Sequence, residues 1–304
     1  MYYEECNRVA EALDEVMNLV RRDRVSFAED EVLYYFRGVR KNGVGGISAP
    51  IEYPAMPYLL FEEGLVEKEH EIFYEVLRTY PDVFSEDRTT FEKLTRMQHY
   101  EIPTRLLDVT PKFMTAVAMS VLPGYGGEDC SDRNGFIRVY RVMKKRVKYS
   151  TSDTVVALSN IARVKPENIT IDNLRYLAAE CKNERSGFYW EKGSEVTNTL
   201  ERDIRKVWCV RPAVNNRRIN AQVGEFFLFG CNDHKGKLDI TFSESDYWNE
   251  SSATYGIAQI GMIALTPDLK LEAKEMSQYL DITEDRVYPD FSRFHKVIKE
   301  RYQK

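Results

Sequence analysis

Three short segments of the 304-residue chain gather side chains able to hold an anion or move a proton. The first is Phe36-Arg37-Gly38, which ends the apolar run Val32-Leu33-Tyr34-Tyr35-Phe36. An arginine leaving such a run needs a partner, because a guanidinium buried alone is costly. The partner is either an internal carboxylate or a phosphate or carboxylate held in bidentate fashion. Gly38 would let a ligand approach bare backbone. The second segment is Gln98-His99-Tyr100-Glu101-Ile102-Pro103-Thr104-Arg105-Leu106-Leu107-Asp108-Val109-Thr110-Pro111. Here Arg105 and Asp108 are spaced to pair with each other, as a structural clasp or as part of a site. His99 is either a satisfied interior histidine or a proton carrier. The third segment is Arg217-Arg218-Ile219-Asn220-Ala221-Gln222-Val223-Gly224-Glu225-Phe226-Phe227. Gln222 and Glu225 would face opposite ways in a strict strand, and a bulge or turn at Gly224 would bring both to one cleft. Otherwise they are polar punctuation ahead of a strand.

The elements that must position these segments can be read from periodicity. Tyr2, Cys6, Val9, Leu13, Val16 and Val20 recur at intervals of three and four, which predicts an amphipathic helix within residues 1–30. Arg21-Arg22-Asp23-Arg24 closes it with cations at the negative end of the dipole. Residues 31–304 are expected to form a single core. Val32–Phe36 reads as a buried strand, and Asn42 to Gly46 as a loop, followed by chain kept extended at Pro50, Pro54 and Pro57. Further helices are predicted around Ile72–Tyr80, Thr89–Gln98 and Lys112–Val121, the last opened by Thr110-Pro111 as cap and first turn. Others contain Leu174, Leu177 and Cys181, then Val196, Leu200, Ile204 and Val207, and two more start near Leu269 and Phe291. Strands are predicted at Phe136–Met143, Trp208–Arg211, Glu225–Phe229 and Ile257–Leu265. Strands and helices mix without βαβ alternation. The fold class is therefore α+β, a mixed sheet core with flanking helices.

Composition narrows the function. The net charge of −5 excludes a globally basic nucleic-acid binder but leaves room for a local basic patch. One candidate is Lys144-Lys145-Arg146-Val147-Lys148, whose simpler reading is a solvated strand end. The five cysteines are odd in number and lack any CxxC, which points to a reducing compartment rather than a disulfide framework or zinc ribbon. No signal peptide or membrane-spanning run is evident, so the expected location is a bacterial cytoplasm, with no membrane partner. Walker A, GxGxxG, GxSxG and HExxH motifs are missing, and the four histidines are not at metal-ligand spacing, so no metal is expected.

Together the three segments resemble the FRG domain family, named for the tripeptide present as Phe36-Arg37-Gly38. The second segment is similar to the family's HYGxPTRLLDWT signature, departing at Glu101, usually glycine, and at Val109, usually tryptophan. The third resembles RIxxQxGxF through Arg218, Ile219, Gln222, Gly224 and Phe226. Tyr288-Pro289-Asp290-Phe291 resembles the C-terminal FPDL element, so the resemblance spans about residues 30–298. A second resemblance is to arginine-type ADP-ribosyltransferases. Those have an aromatic-Arg-Gly strand end, a Ser-Thr-Ser strand leading into a helix, and a Glu-x-Glu or Gln-x-Glu leading into a late strand. The order here is Tyr35-Phe36-Arg37-Gly38, then Asp108-Val109-Thr110, then Gln222-Val223-Gly224-Glu225. One Thr replaces Ser-Thr-Ser, and one extra residue separates Gln222 from Glu225.

This second resemblance implies an ADP-ribosyltransferase-like fold that binds NAD and transfers ADP-ribose to an unidentified macromolecule, protein or nucleic acid, as a toxin or defence effector. It implies Glu225, Gln222 and His99 as catalytic residues, and Arg37, Gly38, Tyr100, Arg105 and Thr110 as contacts to NAD. Tyr100 or Tyr35 would stack on nicotinamide. The alternative is a non-catalytic module that binds a nucleotide or nucleic acid.

Overall fold

Strands that are apolar on both faces need cover on both sides, and this chain supplies it in four layers. The computed structural model describes residues 2–27, 31–40, 56–61, 64–122, 131–169, 174–188, 200–213, 223–234, 237–239, 256–279, 283 and 287. One sheet has the order β1 (Tyr2–Cys6), β10 (Ile257–Leu265), β4 (Gly135–Met143), β2 (Val32–Val39). The other has the order β3 (Leu106–Val109), β7 (Glu225–Phe229), β6 (Val207–Arg211), β5 (Val147–Tyr149). A small hairpin pairs β8 (Asn232–His234) with β9 (Lys237–Asp239). Both four-stranded sheets are mixed, because β1 joins β10 and β5 joins β6 in parallel. The class is thus α+β, with helices flanking two sheets.

Alternation along β7 shows how the layers are held. Phe226 and Leu228 pack into a helical layer that follows the one-turn helix α2 (Tyr58–Phe61) and contains α3 (Glu69–Thr79), α4 (Thr90–His99), α6 (Asp153–Asn160) and α7 (Arg175–Glu184). Phe227 and Phe229 point the other way, against Tyr35 and Tyr140 of the first sheet. The first sheet's far face, including Phe36, Ile137, Val139 and Ile263, is covered by α1 (Val9–Arg24), α5 (Phe113–Val121) and α8 (Pro267–Glu275). Each large side chain buried this way contributes about 1.5–3 kcal/mol. The sheets meet at one corner, where Phe36 and Thr110 exchange backbone hydrogen bonds of 2.7 and 2.9 Å. That bridge sets the first segment against the second.

The N-terminal expectation needs correction. Tyr2–Cys6 is a strand and only Val9–Arg24 is helical. β1 completes the open edge of β10 with Tyr2 opposite Gly261, a long-range pairing that a periodicity of three and four does not register. The helix start is fixed instead by Glu11, whose carboxylate accepts from the amides of Asn7 and Arg8. Val207, expected on a helix, opens β6 because its backbone pairs with Phe229. The cap of α5 is Lys112 rather than Thr110. The expected loop at residues 42–46, Pro50, Pro54, Val196 and the helix from Phe291 lie outside the described residues. Among the described residues no helix is long and apolar enough to cross a membrane.

Candidate functional site

Arg37 leaves β2 on the face that carries Tyr35, one residue past the Phe36–Thr110 bridge. Its Nη1 donates to the Asp108 carbonyl at 2.8 Å and lies 3.6 Å from the Asp108 carboxylate. Its Nε is buried and has no hydrogen-bond partner among the described residues. Asp108 in turn accepts from Gln98 Nε2 at 2.9 Å, and Thr104 donates to Gln98 Oε1 at 2.7 Å. A polar chain therefore runs from the end of α4 to the end of β2. Both Arg37 and Asp108 keep about a quarter of their side-chain surface exposed, so the pair opens to solvent. Beyond it Arg40 lies 3.9 Å from Glu101, and Tyr100 is exposed.

Glu225 opens β7 opposite Val109, with its side chain directed between the sheets. Its Oε2 accepts from Tyr35 at 2.7 Å and from the Cys209 thiol at 3.4 Å, and its Oε1 accepts from Arg211 Nε at 3.2 Å. Burial pushes the Tyr35 hydroxyl upward, and the neighbouring Cys209 and Glu225 add to that. Burial also holds the Cys209 thiol well above its ordinary value, so both groups remain donors at neutral pH. Arg211 and Cys209 were missed in the sequence. Arg211 carries the same signal as Arg37, a cation closing an apolar strand. Tyr35, expected to stack on a ring, is buried and serves the carboxylate.

The structure places the remaining sequence-derived residues differently. Arg105 does not pair with Asp108. It is fully buried, forms a bidentate pair with Glu69 of α3, and donates from Nη1 to the carbonyls of Phe229 at 2.8 Å and Gly230 at 3.2 Å. That seals it away from any nucleotide. His99 is buried at the end of α4 beside Phe226, on the face of the second sheet opposite to Glu225. The sheet itself separates the two, so His99 cannot share a reaction centre with Glu225. Thr110 is buried, its backbone engaged with Phe36 and its hydroxyl accepting from the Lys112 amide. Gly38 faces α5 rather than a ligand, since a Cβ there would sit 1.9 Å from the Ala116 carbonyl oxygen. Gln222 lies outside the described residues, as do Arg217, Arg218 and Ile219. The turn ahead of β7 falls at Val223, with φ +47°, rather than at Gly224. Among the described residues no three His, Cys, Asp or Glu side chains gather as metal ligands.

The first two segments thus meet at one corner, with Glu225 on the neighbouring strand, and comparison with known families marks the same stretch. Residues 33–122, from β2 to the end of α5, match the family model of the FRG domain. That stretch is what the FRG domain model recognises. No curated protein and no solved structure gives a match to it. The FRG match ends before the third segment and before Tyr288-Pro289-Asp290-Phe291, so it is shorter than the resemblance in the sequence implied. It contains the Arg37–Asp108 contact and the Arg105–Glu69 clasp.

The FRG signature also explains its own usual glycine. Tyr100 caps α4, Glu101 follows with φ +60°, and the amides of Glu101 and Ile102 bond the carbonyls of Gln98 and Met97 at 3.1 and 3.0 Å. That is a Schellman C-cap, whose first residue beyond the cap is left-handed and favours glycine. Ile102 packs on the cluster containing Met97, the apolar contact that goes with the motif. Glu101→Gly should therefore stabilise the fold by about 0.5–1 kcal/mol, since relief of the left-handed strain outweighs a half-exposed ion pair to Arg40. Urea unfolding checks it, and a lowered midpoint would mean that the Arg40 contact dominates.

Proposed function

We propose that this FRG domain binds NAD at the corner where β2 meets β3 and transfers ADP-ribose from it to a macromolecular acceptor, on an ADP-ribosyltransferase-like arrangement of its two sheets. The observation that carries the reading is Arg37. Its buried Nε has no hydrogen-bond partner among the described residues, it sits at the end of an apolar strand, and about a quarter of its side chain is open to solvent. A pyrophosphate oxygen would accept from the solvent-open part of the guanidinium, and a charge-assisted contact of this kind is worth about 1.5–3 kcal/mol. Tyr100 offers a ring for nicotinamide. Glu225, or Gln222 beside it in sequence, holds the 2′-hydroxyl of the ribose. In the reaction the glycosidic bond breaks, nicotinamide leaves neutral with the bonding electrons, and the cationic C1′ is stabilised by a carboxylate until an acceptor nucleophile adds and loses its proton.

One observation favours a second reading. Both Glu225 oxygens already accept hydrogen bonds, one of them from Arg211, which offsets its charge. A carboxylate so engaged suits a module that binds a nucleotide without turning it over. Nicotinamide release with cell extract as acceptor, measured with NAD affinity by calorimetry, separates the two. For the enzyme, Glu225→Gln should abolish release and leave affinity within a few-fold, whereas Arg37→Ala should weaken affinity by roughly 10–100-fold. NAD binding without release by the wild type selects the binding module. No NAD binding by the wild type removes both.

A further inference from the structure

The basic run Lys144-Lys145-Arg146-Val147-Lys148 leads into the edge strand β5, and the fold sets a second basic segment against it. Trp208 of β6 is the meeting point. Arg146 Cζ, Lys148 Nζ and Lys206 Nζ lie 5.1, 4.9 and 6.0 Å from its ring centroid. Arg202, well exposed, comes from the same short stretch as Lys206. The described carboxylate among them, Asp203, is buried and already engaged by Thr154, Arg202 and Lys206. The cations crowd one another. Burial, then the charges of Arg146, Arg202 and Lys145, pull the Lys206 ammonium below its ordinary value, although Asp203 opposes this. Burial brings Arg146 down to about 10.

Lysines on an edge strand also deter strand pairing. That role does not account for Arg202 and Lys206, which lie off the edge and add like charge at a cost. An anion arriving from outside relieves that repulsion. The strand then ends at Tyr149, which is 66% exposed and stands opposite Arg211. Arg146 is buried beneath this surface, but Lys144, Lys145, Lys148 and Arg202 are at least partly open to solvent. These cations followed by an exposed ring fit a phosphodiester chain with unstacked bases, in which the backbone meets the charges and one base stacks on the ring. We propose that the surface formed by Lys144–Tyr149 and Arg202–Lys206 binds single-stranded nucleic acid. It is distinct from the Arg37 corner, and it stands whether or not that corner cleaves NAD.

Fluorescence anisotropy with labelled twelve-residue oligouridylate and oligothymidylate, from about 50 to 300 mM salt, tests it. Lys145, Lys148 and Arg202 are at least partly exposed, so Lys145→Gln/Lys148→Gln/Arg202→Gln should fold normally, which circular dichroism verifies. The triple variant should lose at least about tenfold in affinity at low salt, and its log–log salt slope should fall by about 2, near 0.7 per cation removed. Tyr149→Ala should weaken binding by about tenfold with the slope unchanged. Three results overturn the proposal: no binding by the wild type at low salt, equal binding by the folded triple variant, or polyglutamate or anionic-lipid vesicles binding as tightly as the oligonucleotides.

Discussion

Arg105→Met should destabilise this protein by about 3–5 kcal/mol, the cost of leaving a buried carboxylate without its counter-ion. Glu69 is nearly as buried as the arginine it holds, so it cannot turn to water without opening the α3 contact. Glu69→Leu alone should cost a similar amount. The double variant Arg105→Met/Glu69→Leu removes both charges and should recover most of the loss. Recovery stops short of wild type because the Phe229 and Gly230 carbonyls lose a donor. Urea denaturation of the four proteins gives the cycle. Two single losses that simply add in the double variant would show that the charges are not coupled. NAD affinity of the folded fraction should stay at the wild-type value in every variant, since Arg105 faces no ligand.

Gly38→Ala is expected to cost about 3 kcal/mol or more, at the upper end of overpacking effects. The added methyl would meet the Ala116 carbonyl oxygen at 1.9 Å and the Ser120 amide nitrogen at 2.9 Å. Both are helix backbone, so no rotamer relieves the clash. α5 must move outward, and its own Phe113 packs edge-on against Phe36 at the corner bridge. The variant should therefore melt earlier and also disturb the Arg37 corner. A normal denaturation midpoint would show that α5 slides without cost.

Most strands and helices were legible because their signals are local. Glu225–Phe229 and Ile257–Leu265 were predicted at their observed bounds, being apolar runs between turn residues. β1, β3 and β5 were missed, since short strands take their identity from a partner far along the chain. The site shows the same division. Arg37 was found because a cation at the end of an apolar strand is a local contradiction. The partner of Arg105 was not found, because Glu69 lies 36 positions away and nothing near it in the sequence marks it as buried. His99 and Glu225 were grouped by residue type, and only the alternation of β7 shows that a sheet stands between them.

The first sheet recruits both ends of the described chain, and this has a consequence during synthesis. β4 has left the ribosome when residue 143 emerges, yet the strand that covers its other edge ends at residue 265. At about 5–20 residues per second, that edge waits roughly 6–24 s for its partner. β1 waits longer still, because among the described strands its neighbour in the sheet is β10. The second sheet and its helices fall between residues 69 and 229, and so can assemble first. Arg138 and Arg141 interrupt the apolar pattern of β4 during that interval. Charge within an unpaired strand hinders pairing with another nascent copy. The arginines of β4 thus guard a strand whose second neighbour is translated long after it.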